Sequence, residues 1–387
     1  MGKRTFAGIL IKRYEISVML AEERERRSNE EERPLDLYPI GKLATWPLDG
    51  VTPEQVVDAL NEASAHILAK SGGALTGVGS ACYGPLRSVA IEDRPDDLGK
   101  TRREKRKADD DSDLMRRYGT VWDRSVHVNL RGLPVYEIVK GALGPNVDVR
   151  VHSDVSCGAI AESLDRMTHP KPIVAGGTVM FIHIAEGVGG SFASGGRPYF
   201  GTMHSEVGYT TPALYSRDYH GWELFRLAGD EPVFLENLIE LEALLQRTRP
   251  PGVRPDDPVA WNMAKMASLP PDHIEWQIVA EYCAQTAWLA TVMVSPRRVV
   301  FHGPPFAHRP ALLGEVRKRF RGWQGKERIV LYTEMKDADT YIDTAMPRDH
   351  ADPMLRGAVL LAALPEEALR IQPPVWRPKA LKKGGRA

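Results

Sequence analysis

The chain has 387 residues, of which 43% are hydrophobic and 26% are charged, a balance typical of a globular protein with room for two domains. Its 51 basic and 51 acidic side chains give a formal net charge of zero. This balance argues against a general attraction to nucleic acid or to a membrane surface, so we expect neither as a partner.

The three cysteines, Cys82, Cys157 and Cys283, are widely spaced and form no Cys-x-x-Cys pair. An odd, sparse set of this kind does not predict a disulfide framework and favours a reducing compartment. The apolar run near the N-terminus is short and is interrupted by Lys12 and Arg13, so it resembles neither a signal peptide nor a membrane span. We therefore expect a cytoplasmic protein.

The N-terminal part of the chain predicts two strands followed by a helix. Strand patterns cover 5–10 and 16–20, and the run at 22–34 is so charged that it predicts a solvated turn or the tip of a hairpin. A helix start follows at Thr52, a good N-cap residue that precedes a proline and a glutamate. That helix is expected to run to about Lys70, where a serine and two glycines follow.

A small, apolar strand is predicted at 75–82, and the most hydrophilic stretch of the chain lies beyond it at 92–117. This stretch has almost no apolar side chains, so burial cannot offset the entropy lost on ordering it. We expect an exposed insertion. Its basic run could contact nucleic acid, but the adjacent acidic run favours a surface loop whose charges neutralise one another.

Strands and helices alternate through the rest of the chain. This alternation predicts an α/β fold with mostly parallel strand pairing. The expected helices cover 133–143, 233–248, 276–294, 311–320 and 354–364, and the expected strands cover 147–151, 173–185 and 298–301.

An acidic residue, Asp154, follows the strand at 147–151 and leads into a segment of small residues. Ligands of α/β proteins bind at the carboxyl ends of parallel strands, so this position suits a catalytic base. Taken alone, an aspartate there is more often a helix N-cap. The other motifs of the chain shift the balance toward a functional role.

A glycine-rich run over 185–191, Ala-Glu-Gly-Val-Gly-Gly-Ser, follows the predicted strand at 173–185. Glycines let backbone N–H groups approach a phosphate, and the same run would also suit the turn of a β-hairpin. Its spacing differs from that of a dinucleotide-binding motif. Farther along, His204, Glu206 and Tyr209 place an imidazole, a carboxylate and a phenol in one loop, a combination able to bind sugar hydroxyls.

The order of these motifs resembles that of the ROK sugar kinases, and within them the fructokinase branch. That branch carries a Thr-Asp-Val-Asn-Ala segment, then Gly-Thr-Gly-Ile-Gly-Gly-Gly, then His-Pro-Glu-Met-Gly-His. The corresponding stretches here are Ser-Asp-Val-Ser-Cys from residue 153, Glu-Gly-Val-Gly-Gly-Ser from 186, and His-Ser-Glu-Val-Gly-Tyr from 204. Shorter matches, such as Tyr-Gly-Pro at 83–85, extend the resemblance over about residues 5 to 364.

This resemblance implies a two-domain α/β fold of the actin and hexokinase (ribonuclease H-like) type with a cleft between the domains. One domain would comprise residues 1–150 with about 345–387, and the other 151–344. The family also implies phosphoryl transfer to a hexose or related sugar, and homodimers are usual in it. Asp154 would be the general base, and the sugar would contact four residues: Asn129, His204, Glu206 and Tyr209.

The family's phosphate-binding loops are altered in this chain. In the family, an acidic residue precedes a Gly-Gly-Thr-Lys turn that holds the phosphates. Here Leu10 stands at the position of the acid and bulky residues follow it, so Lys12 and Arg13 would face the phosphates instead. Glu186 replaces a threonine beside Gly187, Gly189 and Gly190, and prolines follow Gly303 where the family has glycines. The resemblance implies ATP and magnesium, whereas these changes predict weak or undetectable ATP binding.

The family's zinc site is also missing from the sequence. It needs one histidine and three cysteines, but no cysteine lies near the Tyr-His-Gly segment that contains His220. We expect no zinc and no other protein-bound metal.

Three hypotheses therefore remain open. The first is an active sugar kinase. The second is a pseudokinase that binds or senses a sugar, and the third is a repurposed enzyme that acts on a sugar phosphate or another anionic substrate. The ROK transcription regulators are disfavoured because no helix-turn-helix pattern precedes the first strand.

Overall fold

The computed structural model describes residues 4–23, 37–48, 52–86, 118–122, 125, 128–167, 177–199, 205–248, 265–266, 268–326, 337–345 and 351–365. Strands and helices alternate along this part of the chain. The strands are β1 (Thr5–Ile11), β2 (Glu15–Glu23), β3 (Leu37–Pro47), β4 (Leu75–Cys82), β5 (Asp148–Ser153), β6 (Thr178–Ile184), β7 (Val188–Ser194), β8 (Arg197–Pro198), β9 (Arg298–His302) and β10 (Ile342–Thr344). The helices are α1 (Pro53–Lys70), α2 (Val135–Leu143), α3 (Asp154–Met167), α4 (Tyr219–Ala228), α5 (Glu236–Ile239), α6 (Leu241–Thr248), α7 (Ile274–Val294), α8 (Pro304–His308), α9 (Leu312–Lys326), α10 (Ala338–Tyr341) and α11 (Pro353–Ala363).

The strands form two five-stranded sheets of similar design. The first has the order β3-β2-β1-β4-β5 and the second the order β10-β9-β6-β7-β8. In the first sheet β1 pairs antiparallel with β2 and parallel with β4, and in the second β6 pairs antiparallel with β7 and parallel with β9. The predicted α/β architecture is confirmed.

The alternating faces of the strands produce three layers of apolar core. In β1, Ala7, Ile9 and Ile11 face α1 and α2 on the outer side of the first sheet. Phe6 and Leu10 face the opposite way, into a central core that also contains α3, α11 and the inner face of the second sheet. A third core joins the outer face of the second sheet to α7 and α9. The molecule is thus layered helix, sheet, helix, sheet, helix.

The last helix returns the chain to its beginning, because α11 packs against β1 and β4 of the first sheet and against α3. The second sheet is formed entirely by strands between Thr178 and Thr344. This course of the chain agrees with domain boundaries at about residues 150 and 345. Those boundaries stay a prediction.

One predicted helix and one unpredicted strand show where the structure differs from the sequence analysis. The helix expected at 233–248 is two short helices, because the backbone of Glu240 adopts an extended conformation at the end of α5. The edge strand β3 was not predicted, since its exposed and half-buried residues carry no strong apolar alternation. The stretch at 92–117 and most of the run at 22–34 lie outside the described residues, although β2 and β3 on either side of that run pair antiparallel.

No helix in the described part of the chain is both long enough and apolar enough to cross a bilayer.

Candidate functional site

The carboxyl ends of strands from both sheets open onto one cavity of about 820 Å³. It is lined by residues that directly follow β1, β4, β5, β6, β9 and β10, among them Lys12, Tyr83, Asp154 and Gly303. A second cavity of about 110 Å³ adjoins it. We call these the larger and the smaller cavity. Both lie where an α/β protein is expected to bind its ligands.

Asp154 lines both cavities. It is the first residue of α3 and is only 4% exposed, and its Oδ1 accepts a hydrogen bond of 2.8 Å from the N–H of Val155. The capping hydrogen bond of α3 is made by the preceding residue, Ser153, whose hydroxyl accepts from the N–H of Ser156 at 3.3 Å. Asp154 therefore lies in the first turn of the helix and faces both cavities.

The smaller cavity is rich in carboxylates. Asp154, Glu206 and Glu236 all line it, together with the exposed Tyr209, whose ring packs edge-on against Phe234 with centroids 5.1 Å apart. Glu236 was not predicted as a site residue, because it belongs to no recognisable motif and lies inside the helix predicted at 233–248. Three carboxylates around one small cavity form a set of strong acceptors for hydroxyl groups.

Glu236 also fixes the turn between β6 and β7. Its Oε2 accepts a hydrogen bond of 3.0 Å from the N–H of Val188, and Gly187 lies directly against this carboxyl group. Burial raises the pKa of Glu236, and the nearby charge of Glu206 raises it further. The glycine-rich turn is thus held by a carboxyl group of the candidate site.

A neighbouring group, Glu240, makes the stability of the protein depend on pH in a testable way. Burial, followed by the charges of Glu236 and Glu242, raises the pKa of Glu240 from its ordinary 4.5 to about 8. The folded protein therefore binds more protons than the unfolded chain between these two values. The stability that this group contributes is present at low pH and is lost as the pH rises through 8.

We expect Glu240→Gln to raise the melting temperature at about pH 9, where the buried charge is removed, and to change it little at about pH 4.5. Thermal unfolding at both pH values measures the effect, with the exposed Glu231→Gln as the control. A lower melting temperature for Glu240→Gln at pH 9 would contradict burial as the cause.

Charged side chains of both signs line the larger cavity. Lys12 pairs with Asp352 at 3.1 Å and with Glu15 at 3.4 Å, so the turn between β1 and β2 is tied to the N-terminus of α11. Glu186 is half-buried, and desolvation raises its pKa against the opposing charges of Arg13 and Lys12. The charges of Arg13 and Lys12 thus act on Glu186 through space, while Lys12 forms its ion pairs with Asp352 and Glu15.

Two histidines, His183 of β6 and His302 of β9, also line the larger cavity. Their Nδ1 atoms lie 3.0 Å apart and their rings are stacked with centroids 5.0 Å apart. Burial and the neighbouring His302 lower the pKa of His183 to about 3, so this imidazole is neutral over the usual range of pH. No motif predicted this pair, since the two residues come from distant strands that the sheet makes adjacent.

The segment after β9 forms a short helix that begins with two prolines. Pro304 and Pro305 occupy the first positions of the five-residue helix α8 and have no N–H to donate. Gly303 has φ = 120°, and a Cβ atom on it would lie 2.0 Å from the carbonyl oxygen of Ile184. Packing against β6 therefore explains the glycine at this position.

The predicted site residues fall into five groups. Lys12, Arg13, Glu186 and Gly303 line the larger cavity, while Gly187, Gly189, Glu206 and Tyr209 line the smaller one, and Asp154 lines both. Two predicted residues line neither cavity: Gly190 packs against Val207, and Asn129 is 5% exposed with its side-chain nitrogen lacking a hydrogen-bond partner. The roles proposed for these two residues stay predictions. His204 lies outside the described residues.

The segment that corresponds to the family's zinc loop contains a buried ion network. Arg247 pairs with Asp218 and with Glu275, each at 2.9 Å, and the hydroxyl of Tyr282 donates to Asp218. Asp218 also caps α4 by accepting a hydrogen bond from the N–H of Gly221. These contacts join α4, α6 and α7 through ion pairs and hydrogen bonds.

Comparison with known proteins gives a clear result at the level of structure only. No family sequence profile and no curated protein sequence matches the chain. Among solved structures, a ROK hexokinase from Thermus thermophilus matches with a TM-score of 0.58 and 18% identity, over 93% of this chain and 98% of that one. A ROK family glucokinase from Streptomyces griseus, solved with glucose and AMPPNP, matches with a TM-score of 0.57 and 16% identity, over 93% and 99% of the chains.

Regulators share the same fold. A ROK family transcriptional regulator, a homologue of the E. coli MLC protein, matches with a TM-score of 0.56 and 14% identity, over 94% of this chain and 78% of that one. At these identities the likeness establishes the fold. The predicted two-domain actin and hexokinase-like fold is therefore confirmed.

Proposed function

We propose that this chain is a ROK family homologue that binds a hexose or a related sugar in the smaller cavity. One observation carries the proposal: Asp154, Glu206 and Glu236 line the same small cavity at the carboxyl ends of the strands. Carboxylates can each accept hydrogen bonds from two neighbouring hydroxyls, which suits a polyol better than an apolar ligand. Tyr209 adds an aromatic surface at the rim.

A second candidate function is phosphoryl transfer to that sugar, in keeping with the fold. The observation that favours it is the position of Asp154, which lines both cavities and so stands between an acceptor in one and a donor in the other. In such a reaction Asp154 would accept the proton of the attacking hydroxyl, and the start of α3 would hold its carboxylate in place.

The donor used by the ROK kinases, ATP with magnesium, does not fit the larger cavity well. Lys12 is already paired with Asp352, and Glu186 would meet a triphosphate with a like charge. Leu10, at the position of the family's acid, is 1% exposed in the central core and cannot reach a ligand. Among the described residues no group of three or more His, Cys, Asp or Glu side chains is placed to hold a metal ion.

Calorimetric titration of hexoses and of Mg-ATP separately tests the proposal. We expect one or more free sugars to bind and Mg-ATP to bind weakly or undetectably. A coupled kinase assay then decides the second candidate. Tight binding of Mg-ATP, with turnover abolished by Asp154→Asn, would establish a working kinase. It would also show that the larger cavity accommodates the family's phosphoryl donor after all. The expected homodimer, the cytoplasmic location and an anionic sugar substrate stay predictions.

A further inference from the structure

The two cavities share part of their walls. Tyr83, Asp154 and His183 each line both of them. A ligand seated among the carboxylates of the smaller cavity therefore faces the larger cavity across these three side chains. Whatever occupies the larger cavity lies next to the bound sugar.

The charges of the larger cavity do not suit a polyphosphate. Four carboxyl groups line it (Glu15, Asp154, Glu186 and Asp352), against two basic side chains, Lys12 and Arg13. The ammonium of Lys12 lies within 3.4 Å of two of those carboxyl groups, and the guanidinium of Arg13 lies 4.9 Å from the centre of the Tyr14 ring. Phosphate sites present an excess of N–H donors and positive charge, whereas here the charges pair with one another.

The hydrogen-bonding groups at the boundary suit uncharged hydroxyls instead. The contact between the Nδ1 atoms of His183 and His302 needs one ring to donate and the other to accept. Each ring has a second nitrogen, Nε2, besides the Nδ1 atom in this contact, and both residues line the larger cavity. A neutral imidazole can donate to or accept from a hydroxyl, depending on its tautomer.

Part of the lining of the larger cavity is apolar. Phe306, Met354, Leu241 and Ala307 line it, and Phe306 is held in place by stacking on Phe301 with ring centroids 5.2 Å apart. A wall of this kind favours a ring-shaped group with an apolar face over a solvated anion. The volume of about 820 Å³ is ample for a second ring.

We propose that the ligand of this protein is a glycoside: its sugar ring occupies the smaller cavity, and the group attached through its glycosidic oxygen occupies the larger one. This inference rests on the proposed sugar-binding function and names the class of sugar compound. His183 and Tyr83 lie beside the junction of the two groups. The attached group is either a second sugar or an aromatic ring, and both present a flat face to Phe306.

The test compares the affinities of free sugars and their glycosides by calorimetry. The probes are glucose and fructose, the disaccharides maltose and sucrose, p-nitrophenyl glucosides, and Mg-ATP. We expect at least one glycoside to bind ten or more times as tightly as its parent sugar. Tighter binding of the disaccharides identifies a second sugar as the attached group, and tighter binding of the nitrophenyl compounds identifies an aromatic ring.

A blocking variant locates the effect. Ala307 is an exposed residue of α8 on the wall of the larger cavity, so Ala307→Trp fills that cavity at its mouth. We expect it to lower the affinity for the glycoside at least tenfold and to bring the ratio of glycoside to free-sugar affinity close to one. Ala307→Leu serves as a second blocking variant. The matched control is Ala311→Trp, which adds the same indole at an exposed position away from both cavities.

Two outcomes would overturn the glycoside proposal while leaving sugar binding intact. In the first, free sugars bind and every glycoside binds no more tightly than its parent. In the second, Mg-ATP displaces the glycoside, and the affinity for Mg-ATP is higher than the affinity for the glycoside. If no sugar compound binds at all, the proposed function fails together with this inference.

Discussion

Gly357→Ala is expected to destabilise the protein by about 3 kcal/mol or more, because a methyl group has no room at this position. A Cβ atom on Gly357 would lie 1.8 Å from the carbonyl oxygen of Cys157, so α11 and α3 touch through their backbones. On the other side of α11, a Cβ atom on Gly79 of β4 would lie 1.9 Å from the carbonyl oxygen of Ala358. The methyl group can be accommodated only if α11 moves away from both neighbours.

Urea unfolding measures this effect as a lower denaturation midpoint at an unchanged m-value. Gly322→Ala is the matched control, since Gly322 is an exposed helical glycine of α9, and the methyl group of an alanine there would meet no described atom within 4 Å. Alanine is the better helix former, so this variant should gain up to about 1 kcal/mol. Equal midpoints for Gly357→Ala and the natural protein would show that the central layer is loosely packed.

Local signals in the sequence predicted most of the elements. Thr52 caps the start of α1 as expected: its hydroxyl accepts a hydrogen bond from the N–H of Gln55, and the side-chain oxygen of Gln55 accepts one from the N–H of Thr52. The bounds of β4 match the predicted 75–82. By contrast β3 is an edge strand that contains Pro39 and Gly41, so neither its composition nor its pattern distinguishes it from a loop.

The candidate site was predicted where its residues follow one another in the chain and was missed where the fold joins distant residues. Asp154 follows a strand directly, and its position could be deduced from that alone. The pair of His183 and His302 exists only because β6 and β9 are neighbours in the second sheet, 119 residues apart in sequence. Glu236 reaches the smaller cavity because the predicted helix is broken after it.

The burial of Leu10 makes the replacement Leu10→Asp costly. The side chain faces the central core with α11, so Leu10→Asp would place an unpaired carboxylate among apolar groups. An acid at this position could reach a ligand only if the packing of β1 against α11 changed.

Glu206→Gln is expected to weaken the binding of sugars roughly 10- to 100-fold, since a hydrogen bond to a charged group contributes more than one to a neutral amide. Glu206 lines the smaller cavity with Asp154 and Glu236, so its carboxyl group is one of three that a sugar in this cavity would meet. The amide keeps the shape of the side chain but replaces one acceptor oxygen with a donor. Free sugars and glycosides should lose affinity by the same factor, because both place their sugar ring in this cavity.

The measurement is calorimetric titration of the same sugar into the natural protein and two variants. Glu223→Gln provides the control. Glu223 is an exposed residue of α4, so this substitution makes the same chemical change outside both cavities. Circular dichroism and the melting temperature show whether each variant is folded. If Glu206→Gln binds the sugar as tightly as Glu223→Gln does, the sugar does not contact Glu206, and its assignment to the smaller cavity is wrong.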